Sequence, residues 1–138
     1  MAKDLFHELV REALEADGWT ITHDPLILKM GGLRLEVDLA AEQVFAAERG
    51  NEQIAIEVKS FIGKSKLNDF YAAKGQYDVY RLGLQQTEIP RKLYLAVDSE
   101  IHASFFQKPL IQATIEEDSI ALIVYDVQTR RIVQWITP

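Results

Sequence analysis

The stretch QIAIEVKSFIG, residues 53–63, alternates between apolar and polar side chains, as a β-strand does. Branched aliphatic residues at 54, 56 and 58 fall on one face and require a core, whereas Glu57 and Lys59 fall on the other. The carboxylate and the ammonium are then about 6–7 Å apart along the strand, within reach of one ligand. Two interpretations stay open at this point: an exposed ion pair of little consequence for stability, or part of a functional site.

The length and composition favour one cytoplasmic domain spanning residues 1–138. A chain of 138 residues is long enough to bury a substantial core without the help of disulfides or structural metal ions. It contains no cysteine, which excludes disulfides, zinc-thiolate sites and thiol nucleophiles. No apolar run approaches the ~20 residues of a membrane span, and the amphipathic, acidic N-terminal stretch differs from a signal peptide. We therefore expect no membrane partner.

The charge distribution is more informative than the net charge of −6. Residues 59–92 contain seven basic and three acidic residues, whereas the segments before and after them are both acidic. A protein that only coats DNA should be basic overall, which this chain is not. A divalent metal next to a local basic patch fits this distribution, and charges scattered over a solvated surface are the alternative.

The hydrophobic pattern predicts an α/β sandwich with a mixed central β-sheet flanked by helices. The stretch 40–48 is compatible with a helix or a strand, and its position before strand 53–59 favours the strand. Ser65 is the predicted N-cap of the second helix, and Pro109 is predicted to open a further helical turn. The predicted helices are 4–16, 66–82 and 98–107, and the predicted strands are 19–23, 26–30, 33–39, 40–48, 53–59, 93–97, 119–125 and 131–136.

Two helices carry apolar stripes that we expect to pack on the sheet. The first stripe consists of Leu5, Phe6, Leu9, Val10, Ala13 and Leu14, in a helix capped by Asp4 and ended at Gly18. The second consists of Leu67, Phe70, Tyr71, Tyr77 and Tyr80. In the same helix, Lys66, Lys74 and Arg81 are expected to face the solvent.

A second carboxylate, Asp38, ends the predicted strand 33–39, where an acidic residue is a poor strand former. If that strand neighbours strand 53–59, Asp38 and Glu57 face one another across the pair. Two carboxylates that close repel unless a proton or a cation lies between them, and Mg²⁺ prefers such oxygen ligands. Lys59 would then stabilise a phosphate oxygen or orient an attacking hydroxide.

An acidic residue followed one strand later by Glu-x-Lys resembles the pattern of PD-(D/E)xK nucleases. Further segments resemble the XisH family, the cyanobacterial controlling factors for excision of the fdxN DNA element. The resemblance covers nearly the whole chain and rests on VDLAAE (37–42), IEVKSF (56–61), GQY (75–77), DGWTITHDP (17–25) and IVQWI (132–136). It implies a restriction-endonuclease-like fold, a small XisI-type partner and, indirectly, a site-specific recombinase that removes the element.

The resemblance also assigns roles to individual residues. It implies that Asp38 and Glu57 hold Mg²⁺ or Mn²⁺ and that Lys59 is the catalytic lysine. Gln76, on the following helix, matches a polar residue near the phosphate, and Glu8, on the first helix, matches an additional metal carboxylate. This sequence departs from the nuclease pattern in having Val37 before Asp38 instead of proline.

Three functions remain open from the sequence. The first is a metal-dependent endodeoxyribonuclease, or a nuclease-like subunit, acting in DNA excision. The second is a non-catalytic accessory factor that binds DNA or the XisI-type partner. The third is an interaction module in which Glu57 and Lys59 form only an ion bridge. A homo-oligomer is compatible with all three. His7, beside Glu8, is interpreted as a solvated helix residue.

Overall fold

The computed structural model describes residues 2–30, 32–35, 44–86 and 91–138. Four α-helices are described: α1 (Ala2–Ala16), α2 (Lys66–Gln85), α3 (Ser99–Ala103) and α4 (Pro109–Glu117), with a 3₁₀ turn at Phe105–Gln107 between the last two. The described strands are β1 (Thr20–His23), β2 (Leu28–Met30), β3 (Leu33–Leu35), β4 (Val44–Arg49), β5 (Glu52–Val58), β6 (Lys92–Asp98), β7 (Leu122–Asp126) and β8 (Arg131–Ile136).

Six of these strands form one mixed sheet in the order β1-β4-β5-β6-β7-β8. Strands β5, β6 and β7 are parallel, and the remaining pairs are antiparallel. The prediction of a mixed sheet flanked by helices is confirmed. Strands β2 and β3 pair only with each other in a separate two-stranded sheet. The predicted strand 40–48 is confirmed for its described part, where β4 forms a tight hairpin with β5.

The sheet separates two apolar cores. The α1-side core contains Leu9, Val10, Leu14, Trp19, Ala47, Ile54, Ile56, Val58, Ala96, Ile123 and Tyr125. The α2-side core contains residues of α2, the 3₁₀ turn and α4, together with Ala55 of β5 and alternate residues of β6 and β7. Both crossover connections between the parallel strands therefore cover the same face, and α1 covers the other.

Helix α1 buries most of its predicted stripe, with Leu9, Val10, Ala13 and Leu14 inside. Leu5 was predicted to be buried, and this is wrong, because it lies at the edge of the stripe and is half exposed. The helix begins at Ala2, so Asp4 lies in its first turn and is not the N-cap. It ends at Ala16 as predicted, and Gly18 follows with a φ of +89°, which suits glycine at a helix stop.

Helix α2 begins as predicted after the N-cap Ser65, whose Oγ accepts a hydrogen bond from the Asn68 N–H at 3.1 Å. Its buried residues are Phe70, Ala73, Tyr77, Tyr80, Gly83 and Leu84. Burial of Leu67 and Tyr71 was also predicted, and this is wrong: both are exposed. The helix carries apolar residues on two faces, and only one of them can pack on the sheet.

The segment after β6 is divided more finely than predicted. Asp98 caps α3, with its Oδ1 accepting a hydrogen bond from the Glu100 N–H at 2.6 Å. The predicted helix 98–107 is interrupted at Ser104, after which the 3₁₀ turn buries Phe105 and Phe106. Pro109 opens α4 as predicted. Across the described residues, no helix combines the length and the apolarity that a membrane crossing requires.

Candidate functional site

Glu57 lies in the middle of the sheet, on strand β5. Its neighbours across the strands are Val44 of β4 and Leu95 of β6. Because side chains alternate along a strand, Glu57 shares the face of Ala55, which belongs to the α2-side core. Its exposed fraction is 0 %. A fully buried carboxylate requires compensating interactions, so apolar packing alone does not account for a glutamate at this position.

Lys59 follows directly after β5 and is also buried, at 8 % exposure. Its backbone N–H donates to the Ala96 carbonyl at 3.2 Å, which continues the parallel pairing one residue past the strand. The alternation therefore places Lys59 on the face of Glu57. Both residues make interactions with their surroundings. The interpretation of the two groups as an exposed surface ion pair is wrong, because neither side chain is on the surface.

Tyr77 of α2 lies over this part of the sheet. Its hydroxyl donates to the Leu93 carbonyl at 2.9 Å and accepts from the Ala121 N–H at 3.1 Å. Burial raises the pKa of the Tyr77 phenol above its ordinary value, and the charge of Glu57 adds a smaller increase. Tyr77 thus fixes α2 to the parallel strands on the side where Glu57 lies.

Gln76 precedes Tyr77 on α2 and is partly buried. Its Oε1 is inaccessible to solvent and accepts no hydrogen bond from any group that the structure describes. A buried acceptor left in this condition costs about 1–3 kcal/mol, so Gln76 is unusual for a purely structural residue. Gln76 lies on the second helix as expected, and its role near a phosphate stays a prediction.

The segment that follows Lys59 is held in one shape. Phe61 has a φ of +53°, in the left-handed region, and its ring packs against Phe105 and Phe106 with centroids 6.2 Å and 5.3 Å away. Its carbonyl accepts a hydrogen bond from Lys66 Nζ at 2.9 Å. These contacts position the polypeptide between Lys59 and the start of α2.

Asp38, the other predicted carboxylate, lies outside the described residues, so its metal role stays a prediction. The sequence left open whether strand 33–39 neighbours strand 53–59, and for the part that is described it does not. Strand β3 pairs with β2 outside the main sheet, and β4 takes the place beside β5. The physical reason is that β4 forms a short-loop hairpin with β5, which leaves no free edge there.

Glu8 is exposed on α1, the helix that covers the opposite face of the sheet from Glu57. The structure therefore does not bring Glu8 together with Glu57. In the described part of the chain, no three histidine or acidic side chains are grouped so as to hold a metal ion. Glu57 supplies a hard oxygen donor that suits Mg²⁺ or Mn²⁺, and further ligands have to come from elsewhere, with Asp38 as the predicted one.

His7 is not a solvated helix residue as expected. It is buried, and its Nε2 is 3.0 Å from Asp24 Oδ2, which also accepts a hydrogen bond from Arg11 at 2.6 Å. The three side chains join α1 to the turn after β1. The spacing of HELVR in a helix, with His7 and Arg11 four residues apart, was the available signal for a shared partner.

A cavity of about 390 Å³ lies at the carboxyl ends of β6 and β7. It was not predicted from the sequence. Each of these strands ends in an aspartate, and this repeated pattern was the available signal. Asp98 caps α3, and Asp126 Oδ1 accepts a hydrogen bond from the Gln128 N–H at 2.8 Å. Both carboxylates therefore have structural roles. The cavity is lined by Phe6, Asp98, Ser99, Glu100, Asp126, Val127 and Gln128.

A family model described as XisH protein matches residues 1–133 of this chain. The chain belongs to the XisH family. Two solved structures are similar over nearly the whole length. A crystal structure of an XisH family protein from Nostoc punctiforme has a TM-score of 0.90 and 41 % sequence identity, and the alignment covers 97 % of this chain and 100 % of that one.

The second similar structure is an fdxN element excision controlling factor protein from Anabaena variabilis. It has a TM-score of 0.89 and 42 % identity, with 97 % of this chain and 99 % of that chain covered. No curated protein matches the chain. The family resemblance that the sequence motifs indicated is thus confirmed.

Proposed function

We propose that this XisH-family chain controls the excision of a DNA element as a nuclease-like subunit that binds, and with a metal ion hydrolyses, DNA phosphodiesters. The observation that carries the proposal is the fully buried Glu57 carboxylate, two residues before the buried Lys59 at the carboxyl end of a central parallel strand. Ligand sites of open α/β sheets lie at these strand ends. The name of the Anabaena variabilis relative supports the process of excision.

Each residue of the proposed site has one task. The carboxylates of Glu57 and Asp38 would hold Mg²⁺ or Mn²⁺, which supplies charge neutralisation at a phosphate. The Lys59 ammonium, held in a fixed position by the sheet, stabilises the charge that develops on a phosphate oxygen. The Gln76 side chain lies near the phosphate as a further polar group. DNA approaches along the basic segment 59–92, which carries the positive charge that the rest of the chain lacks.

The overall charge of −6 supports a partner in this process. An acidic protein is repelled by DNA at long range, so a small XisI-type partner would share the DNA contact, and a site-specific recombinase would act on the same element. The restriction-endonuclease-like class of the fold is part of this proposal. The second candidate is an accessory factor that uses the same surface for binding without hydrolysis, and the acidic net charge of −6, which favours action with a partner, supports it.

The decisive experiment removes both buried charges together. Glu57→Gln combined with Lys59→Met keeps the size of each side chain and leaves no isolated buried charge, so the stability should change little. The double variant should lower metal-dependent cleavage or excision of a plasmid-borne element by about 10²–10³-fold. The matched control is Glu52→Gln combined with Lys64→Met, which removes an exposed carboxylate and an exposed ammonium from the same part of the chain.

Two readouts separate the candidates. If wild-type protein with its partner excises the element but cleaves no DNA, the accessory function replaces the nuclease-like one. If the double variant excises as well as wild type, Glu57 and Lys59 have no part in the activity. Calorimetric titration with Mn²⁺ tests the metal directly: binding should be lost in Glu57→Gln and in Asp38→Asn, and kept in Glu8→Gln.

A further inference from the structure

The outer face of helix α2 carries a second apolar stripe that nothing in the chain covers within the part the structure describes. Leu67, Tyr71, Val79 and Leu82 are between 39 % and 59 % exposed. With Gly75 between them, they follow a spacing of three and four residues, which places them on one side of a helix. Single exposed apolar residues are ordinary on protein surfaces, but a continuous stripe indicates an interaction surface.

The same face has no charge. Apart from Lys66 in the first turn, every exposed residue of α2 is uncharged. The other charged residues lie at the sides of the helix, where Lys74 Nζ is 3.0 Å from Asp78 Oδ2 and 2.8 Å from Asp118 Oδ2. A helix whose outer face is permanently in water normally carries charged residues there. The outer face of α2 is therefore composed like a buried one.

Gly75 lies at the centre of this stripe and of the helix. A glycine inside a helix costs about 1 kcal/mol relative to alanine, so it needs a packing reason. A Cβ atom built at Gly75 would meet no atom within 4 Å. No contact in the described chain thus requires glycine at this position. The absence of a side chain would allow a backbone from outside the described chain to approach closely here.

We propose that the outer face of α2 is a homodimer interface, in which two copies pack their α2 helices antiparallel across a twofold axis at Gly75. A twofold interface requires a patch that is complementary to itself. The stripe meets this condition: Tyr71 and Val79 are each four residues from Gly75, so each faces the other's position in the second copy. Leu67 and Leu82, eight and seven residues from Gly75, lie at the two ends of the stripe.

The charges at the side of the helix are compatible with the antiparallel arrangement. The twofold axis brings Lys74 of one copy within a turn of position 78 of the second copy, and the reverse. It also brings the two Lys74 ammonium groups onto the same flank, where the Asp78 carboxylate of each copy lies beside the lysine of the other and offsets their repulsion. A second copy of this chain thus complements the stripe through the symmetry of the stripe about Gly75, without a charge mismatch at its side.

The size of the stripe sets the strength of the dimer. From 67 to 82 it extends about 22 Å along the helix at a rise of 1.5 Å per residue. Burying it on both copies gives an interface near the lower limit of about 1,000 Å² for specific association. We therefore expect a reversible dimer, whose population falls on dilution.

The experiment is sedimentation equilibrium over a range of protein concentrations. Tyr71→Glu and Val79→Lys should each raise the dimer dissociation constant at least about tenfold, since each buries a charge at the contact. Combining them should restore the dimer, because the new carboxylate at position 71 then faces the new ammonium at position 79 of the other copy. Leu110→Glu, at a still more exposed apolar residue of α4, is the control and should dimerise like wild type.

Gly75→Leu provides an independent measurement. It should raise the melting temperature of the dilute, monomeric protein through better helix propensity, and at the same time weaken the dimer. A monomeric wild type at all concentrations would overturn the proposal, as would dissociation by Leu110→Glu or failure of the double variant to restore the dimer. Slower hydrogen exchange in α2 on adding an XisI-type protein to a monomeric chain would assign the face to that partner instead.

Discussion

The two faces of strand β5 are both covered by helices, yet they carry different kinds of side chain. On the α1 side, Ile54, Ile56 and Val58 contribute only apolar surface to a core. On the α2 side, the same strand places Ala55 and then Glu57, a fully buried carboxylate. A protein selected for stability alone would have an aliphatic residue there. The comparison teaches that one side of the strand contributes only apolar packing, whereas the other side accepts a buried charge at a cost in stability.

The largest effect on stability should come from the α1 face. Ile56→Ala removes a side chain with no solvent exposure and leaves a cavity, so the free energy of unfolding should fall by about 2–5 kcal/mol. Urea denaturation measures it. Val133→Ala, at an exposed residue of β8, is the control and should stay within about 0.5 kcal/mol of wild type. If Ile56→Ala lowers the free energy of unfolding by less than about 1 kcal/mol, the α1-side face of β5 does not provide the stabilising packing described above.

A buried tyrosine on each side of the sheet sharpens the comparison. Tyr77, on the α2 side, bonds both Leu93 and Ala121 through its hydroxyl. Tyr77→Phe leaves a buried carbonyl and a buried N–H without that partner, and should cost about 1–3 kcal/mol. The measurement is again urea denaturation at neutral pH. Stability equal to wild type would mean that water replaces the hydroxyl and that this side is less enclosed than described.

Tyr125, on the α1 side, should show the smallest effect at neutral pH. Its hydroxyl is buried and has no hydrogen-bond partner among the residues that the structure describes. Tyr125→Phe should therefore stay within about 0.5 kcal/mol of wild type, or stabilise slightly. A clear loss of stability in this variant at neutral pH would contradict the assignment of an unbonded hydroxyl.

The same tyrosine gives a dependence on alkaline pH. Burial raises the pKa of the Tyr125 phenol well above its ordinary value, with a smaller increase from the charge of Asp98. The unfolded chain then loses this proton before the folded one does. The contribution of Tyr125 to the free energy of unfolding is therefore fully present below about pH 10. Above that pH it falls by up to about 1.4 kcal/mol per pH unit. Tyr125→Phe should make this fall less steep, whereas an unchanged slope would contradict burial as its cause.

Local patterns predicted the secondary structure well. The alternation in residues 53–59, the cap at Ser65, the stop at Gly18 and the proline that opens α4 all depend on neighbouring residues, and all are confirmed. Which strands become neighbours depends on contacts between distant residues. Residues 33–35 were therefore correctly predicted as a strand, whereas the sequence left open whether that strand neighbours β5, and the structure pairs it with β2 instead.

The candidate site shows the same limit. The spacing of Glu57 and Lys59 predicted their shared face, but not that both are buried, because their burial depends on what α2 brings to the sheet. Leu67 and Tyr71 were assigned to the core since periodicity alone does not distinguish two apolar faces of one helix. His7 was misjudged because its partner, Asp24, lies in a turn seventeen residues away.

The left-handed backbone of Phe61 has an evolutionary consequence. A bulky residue in that conformation costs on the order of 1–2 kcal/mol, and here the packing of its ring on Phe105 and Phe106 compensates the cost. Loosening either ring would let the backbone two residues after Lys59 relax. Selection for activity would then act on both phenylalanines, although neither has chemistry of its own. We expect positions 61, 105 and 106 to covary among related sequences.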